Sequence, residues 1–253
     1  TPQGLVFAPK GYRLAIGQMN GVSLWYPATQ TKPEFLDWKG SHLDVVWSPD
    51  GRFVVSSMQE NALHGWRLGE KPSHMRMTGY PAKVKSLSWS VKGKWLASSG
   101  APAAIVWPFS AKDGPMGKPP TELAGGDGIT CTLVACHPRE DLVAAGFADG
   151  LVIIADIGSG RILPVAAPGR GSVSALAWSP DGAWVLGAGG AARRGPTGGR
   201  GGLKRDPRRV IGSRGTARAG SLMAEERLQK ILSQVGIASR RQAEKIIAEG
   251  RVT

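Results

Sequence analysis

Arg240 and Arg241 follow Ser239 directly, and Ser239 with Gln242 forms a capping box, so both arginines fall in the first turn of a predicted helix. Cations there oppose the helix macrodipole by ~0.3 to 1 kcal/mol. A phosphate reverses that sign, because free N–H groups and two guanidinium groups then point at it. The chemistry this spacing suits is therefore anion capture, with solvated surface charge as the bland alternative.

Other reactive residue types are sparse. His42, His64, His74 and His137 are read as scattered over different positions without metal-ligand spacing, so a structural role is expected for each. No Ser-His-Asp set can be assembled from sequence. Gly125-Gly126-Asp127-Gly128 lacks the Lys-Ser or Lys-Thr of a phosphate loop. Gly187, Gly189 and Ala192 after Trp184-Val185-Leu186 outline a dinucleotide fingerprint, but Gly195 and Pro196 follow where a helix would have to run. The expectation is no catalytic residue, no metal and no cofactor.

The elements that would position these residues emerge from composition. The chain has 253 residues, 42% of them hydrophobic, with 36 glycines and 9 tryptophans, which suits many short strands joined by tight turns. Its 32 basic and 19 acidic side chains leave +13, a balance that suggests nucleic acid or an anionic surface. By position, residues 1–188 hold 17 basic and 14 acidic groups (+3), 189–222 hold 9 and 1 (+8), and 223–253 hold 6 and 4 (+2). Cys131 and Cys136 are five apart in a strand-like run, roughly 16 Å at ~3.3 Å per residue and on opposite faces, so they cannot pair with each other. A reduced, cytoplasmic setting is expected. No apolar run approaches the ~18 residues of a membrane span, so no membrane partner is expected; the start at Thr1, without a signal-peptide pattern, leaves export open.

A repeat organises the first three-quarters of the chain. Phe7-Ala8-Pro9, Trp47-Ser48-Pro49, Trp89-Ser90-Val91, Cys136-His137-Pro138 and Trp178-Ser179-Pro180 recur at spacings of 40, 42, 47 and 42. Behind the first four, 18 or 19 residues on, stand Trp25, Trp66, Trp107 and Ala155-Asp156. Each unit reads as turn, strand, turn, strand; Asn20-Gly21 and Asp149-Gly150 occupy the second turn and accept positive φ. Four short strands per forty-odd residues is the arithmetic of a propeller blade. The blade anchors are then Phe7, Trp25, Trp47, Trp66, Trp89, Trp107, Cys136, Asp156 and Trp178, wedged between neighbouring blades.

Through the W-S-P-D-G turns at Trp47–Gly51 and Trp178–Gly182, and the run from Asp149 to Asp156, residues 5–188 resemble the WD-repeat family; TolB-like propellers share the turn. The resemblance implies an interaction scaffold without enzymatic activity and an unidentified protein partner. The fifth unit lacks its second landmark, because Pro196 and Thr197 stand where a Trp or Asp is due. At least one blade is expected to be missing at the front, and the last to stop half-built.

Residues 189–222 lose all periodicity: Gly, Arg, Ala and Pro number 10, 8, 4 and 2 of 34. A flexible charged linker, an RGG-like segment gripping RNA and a GC-rich coding region read out of frame all fit. The abrupt stop of the propeller favours the third.

From Met223, Leu228, Ile231, Leu232 and Val235 mark one helical face and Ala243, Ile246 and Ile247 a second, with Gly236 and Gly250 as stops. The run M-A-E-E-R-L-Q-K-I-L-S-Q-V-G-I-A-S-R-R-Q-A-E-K-I-I-A-E-G-R-V-T resembles the opening of bacterial ribosomal-RNA pseudouridine synthases, whose first domain is of the S-four type. That resemblance implies ribosomal-RNA contacts by Arg227, Lys230, Ser239, Arg240, Arg241, Lys245 and Arg251, without the synthases' catalytic aspartate motif. An alternative reading of the whole chain is the RNA-binding part of a 23S or 16S ribosomal-RNA synthase lacking its catalytic domain.

The expected fold is mainly β: a partial propeller of about four and a half blades over 1–188, a disordered Gly/Arg-rich junction over 189–222, and a small two-helix segment over 223–253. A fusion of neighbouring genes is the economical account of that order.

Overall fold

The structure, a computed structural model, describes residues 2–29, 32–70, 72–124, 128–169 and 171–189. The junction from residue 190 onward, the two expected helices, the seven expected RNA-binding residues and most of the Gly125–Gly128 loop lie outside the described residues. All described strands belong to the unit Thr1–Ala191.

That unit is a partial β-propeller. Strands β1 (Gly4–Phe7), β2 (Leu14–Trp25) and β3 (Glu34–Trp47) run into β4 (Phe53–Met58), β5 (Leu63–Arg67) and β6 (Ser73–Met77) as one six-stranded antiparallel sheet. β2 pairs with β1 through Leu14 to Gly17 and with β3 through Met19 to Leu24; β3 passes to β4 from His42 onward, so one strand element serves two blades. Asn20 (φ 65°) and Gly21 (φ 152°) take the positive φ expected of the second turn, and the register shifts beside them within the bounds of β2.

The third blade is β7 (Leu87–Trp89), β8 (Trp95–Ser98), β9 (Ala104–Pro108) and β10 (Thr121–Leu123); the fourth is β11 (Cys131–Cys136), β12 (Leu142–Phe147), β13 (Val152–Asp156) and β14 (Ile162–Ala166). The fifth unit has two described strands, β15 (Val173–Trp178) and β16 (Val185–Gly189).

Three cores lie between successive blades, because each central sheet is covered on both faces. All six residues of β4 are buried. Val54 joins Ala15, Val22, Leu24 and Trp66 on one side, while Phe53 and Val55 join Met75, Leu96, Ile105 and Phe109 on the other. The third core sets Ala97, Val106 and Leu123 against Val134, Val143 and Ile153. The two ends of the array are barer: Leu5 and Leu186 are 60% and 67% exposed.

Candidate functional site

The turns that open the second to fifth blades are closed in part by their own side chains, whereas Ala8 leaves the first with a backbone bond to Arg13. Ser48 Oγ donates to Asp50 Oδ1 (2.6 Å) and accepts from Phe53 N (2.9 Å), while Arg52 N donates to the same Asp50 oxygen (3.0 Å). Ser179 and Asp181 repeat this with Ala183 N and Trp184 N. Gly51 (φ 75°) and Gly182 (φ 77°) supply the left-handed step. Hydrogen bonds from Ser179 first, then from the Ala183 amide, hold the Asp181 carboxyl below its usual range. The third blade lacks the aspartate, and Ser90 alone closes the turn through Trp95 N (3.1 Å).

In the fourth blade His137 does more than occupy the turn slot that sequence assigned to it. Its Nδ1 accepts from Arg139 N and Glu140 N (3.1 and 2.9 Å), so the remaining proton sits on Nε2, which donates to the Gly182 carbonyl of the next blade (3.0 Å). Its ring meets Trp178 edge-on at 4.6 Å. A Cβ on Gly182 would lie 2.2 Å from His137 Nε2, so this approach admits only glycine.

Two buried polar rows cross the second and third blades at matching places. Ser56 lies opposite His64 and Ser98 opposite Ile105 in their ladders. In the third blade Trp107 Nε1 donates to Tyr80 Oη (2.6 Å), Tyr80 donates to Ser98 Oγ (2.6 Å), and Ser98 donates to the Ile105 carbonyl (3.1 Å). Burial pushes the Tyr80 hydroxyl up to about 12, so the phenol keeps its proton. In the second blade His42 occupies Tyr80's place, with Nε2 3.0 Å from the Trp38 carbonyl and Nδ1 2.6 Å from Ser56 Oγ.

Three of the four histidines read as scattered, His42, His64 and His74, are brought together, while His137 stands apart in the fourth blade. The His64 ring stacks on Trp38 at 4.0 Å, lies 5.3 Å from His74 and 6.3 Å from His42, and meets Trp66 at 4.7 Å. Alternation along β5 and the long return of β3 place these rings on one sheet face, a relation between strands that residue spacing does not display. His64 is wholly buried with neither ring nitrogen hydrogen-bonded. Burial, with His74, His42 and Arg76 nearby, lowers its pKa to about 3, so the ring is a neutral aromatic filler. Among the described residues no group of three or more His, Cys, Asp or Glu is arranged to hold a metal ion.

The expected anchors divide. Trp47, Trp66 and Trp107 are buried; Trp25, Trp89, Cys136 and Trp178 are half-buried. Trp89 packs edge-on against Phe109 (4.6 Å), and Trp178 Nε1 donates across the blade boundary to the Ala135 carbonyl (2.9 Å). Cys136 binds the neighbouring blade through its amide to Ser88 Oγ (2.8 Å), and burial pushes its thiol up to about 12. Two anchors require correction. Phe7 is 56% exposed, because it ends the outermost strand of its sheet. Asp156 is no wedge: it caps the turn after β13, accepting Ser159 N and Oγ at 2.6 and 2.9 Å. Gly187 and Gly189, the first glycines of the apparent dinucleotide fingerprint, sit in the β15–β16 ladder.

Comparison with known proteins bears on both parts. The model of the WD domain, G-beta repeat, matches residues 71–106 and 165–192. Those two stretches match WD40 repeats. Within the described residues these matches fall on parts of the blades above, and an S4 domain model matches residues 226–253. Among curated proteins, the chromatin assembly factor 1 subunit FAS2 homolog of Oryza sativa subsp. japonica is 28% identical over 102 residues, 37% of this chain. The chain spans about a fifth of the length of that relative, which the match covers to 20%.

Proposed function

We propose that the WD40 blades, residues 1–188, form a non-enzymatic docking platform for a protein partner. The observation that carries this reading is the repeated blade itself: rigid sheets with shared cores present successive loops as one surface. The name of the rice relative, an assembly-factor subunit, supports the same class of role. Site-specific photo-cross-linking from blade loops of the full chain in native lysate tests it. A discrete protein adduct is expected, and its absence from every blade contradicts the platform.

A second function is favoured by the S4 match. We infer that residues 223–253 contact ribosomal RNA through Arg227, Lys230, Ser239, Arg240, Arg241, Lys245 and Arg251, as the first domain of a pseudouridine synthase would. The two parts then have separate origins, joined through 189–222. Ribosomal-RNA binding by the full chain, compared with a chain ending at Ala188, tests the first inference: equal affinity and equal salt slope contradict it. The encoding DNA tests the second, since restoring one or two bases near codon 188 should continue the blade.

A further inference from the structure

β6 is the outermost strand of its six-stranded sheet, so among the described residues its outward row of N–H and C=O groups has no partner strand. A groove of about 230 Å³ runs along that edge. Met75, Arg76 and Met77 all line it. Consecutive residues of a strand point to opposite faces, so the wall they make together is the strand edge itself.

The opposite wall is the connection from β9 to β10, residues 109–120. It has twelve residues, where the matching connections of the second and fourth blades, 68–72 and 157–161, have five. This loop is held in place. Phe109 is fully buried and its N–H donates to the Lys94 carbonyl (2.7 Å), Asp113 pairs with Arg67 (3.5 Å), and Gly114 comes so close to Met75 that a Cβ would lie 3.1 Å from Sδ.

The lining chemistry is one-sided. Met75, Met77 and Trp107 are buried in the core beneath the groove and form its floor, while Met116, 56% exposed, is its accessible apolar side chain. Thioethers adapt to varied apolar partners. Arg76 and Lys118 are the charged lining residues, both exposed, and neither is in an ion pair among the described residues. Among the described residues no acidic side chain lines the groove. Its volume falls below the ~300–1,000 Å³ of small-molecule sites and suits a single bulky side chain.

We propose that this groove binds an extended acidic peptide segment, which adds as a further strand along the free edge of β6, sets one apolar side chain against Met116 over the floor of Met75 and Met77, and places its carboxylates near Arg76 and Lys118. Main-chain pairing supplies affinity, while the methionine cleft and the two cations supply selectivity. The assignment rests on the docking-platform reading and names the chemistry of one partner.

The test is fluorescence anisotropy of the full chain with a labelled seven-residue peptide alternating Glu and Leu. Saturable binding is expected. It should weaken at least about fivefold when Lys replaces Glu, when alternate peptide nitrogens are methylated, and in the variants Lys118→Glu and Met116→Asp. Both positions are exposed, and an unchanged thermal melt shows that the variants fold. Equal binding of the methylated peptide overturns strand addition. Equal binding of the Lys peptide, or stronger binding of an RNA oligonucleotide that Lys118→Glu abolishes, overturns the acidic partner, and peptide binding that falls as the chain self-associates assigns the groove to a second copy instead. If the groove fails while blade loops still cross-link a protein, the docking platform stands and this site alone is lost.

Discussion

Ser56 Oγ lies 2.6 Å from His42 Nδ1 and 3.3 Å from the His64 carbonyl, and it has one proton for the two acceptors. His42 Nε2 faces the Trp38 carbonyl, which only accepts, so Nε2 carries the ring proton. Burial lowers the His42 pKa against smaller raising effects of the Trp38 carbonyl and Glu60, which keeps Nδ1 bare. Ser56 therefore donates to His42, and the His64 carbonyl receives that hydroxyl only when His42 is protonated.

Acid should weaken the propeller from mildly acidic pH downward. His42 and His64 both titrate below the ordinary histidine value of 6.5, His64 at about 3, because burial disfavours the charged ring. Unfolded histidine takes up a proton near pH 6.5 and the folded rings do not, so their contribution is full above 6.5 and is lost as pH falls toward 3. Each such proton steepens the fall by ~1.4 kcal/mol per pH unit. Urea unfolding between pH 7.5 and 5 should show this slope, and His64→Phe, which keeps a ring against Trp38 without a titrating group, should flatten it. An identical slope in that variant contradicts the assignment.

The two polar rows should respond alike. Ser56→Ala leaves His42 Nδ1 without its donor, and Ser98→Ala leaves the Tyr80 hydroxyl without its acceptor, each costing ~1 to 3 kcal/mol. Tyr80→Phe removes two links at once, because Trp107 Nε1 also ends on that oxygen. Denaturant midpoints at pH 7.5 measure all three, and a cost for Tyr80→Phe below that of Ser98→Ala would contradict the order of donors given above.

Gly182→Ala should destabilise on two grounds, the φ of 77° and the 2.2 Å approach to His137 Nε2. His137→Ala removes the second ground while losing the bond to the Gly182 carbonyl. A double-mutant cycle should therefore give a loss smaller than the sum of the two single losses. Additive losses would mean that the ring yields freely.

Burial ranks the aromatic anchors. Phe53→Ala, at 1% exposure between Phe109 and its core, should cost ~3 to 5 kcal/mol, while Trp178→Ala, half-buried in the fifth unit with its two described strands, should cost less. Thermal melts of the two variants check the order.

Local chemistry was legible in the sequence and non-local chemistry was not. Ser48, Asp50 and Gly51 act within five residues of one another, so the W-S-P-D-G pattern reads directly as a turn. The blade period was equally plain, because Trp66 and Trp107, 19 and 18 residues behind Trp47 and Trp89, are buried at matching positions. The grouping of His42, His64 and His74 depends on which strand faces which, and no spacing shows that. Phe7 matched the anchor pattern but not its burial, since a pattern cannot tell an outermost strand from an inner one. The net charge of +13 hinted at nucleic acid, yet residues 1–188 carry only +3 of it, and the described sheets are held by apolar cores and neutral hydrogen-bond rows.

Mass-spectrometric mapping of protein and RNA cross-links on the full chain in native lysate tests the division of labour most directly. The proposed functions require protein adducts on the blades, residues 2–189, and RNA adducts on 226–253. RNA adducts on the blades with none on 226–253, or blades without any protein adduct, would contradict it.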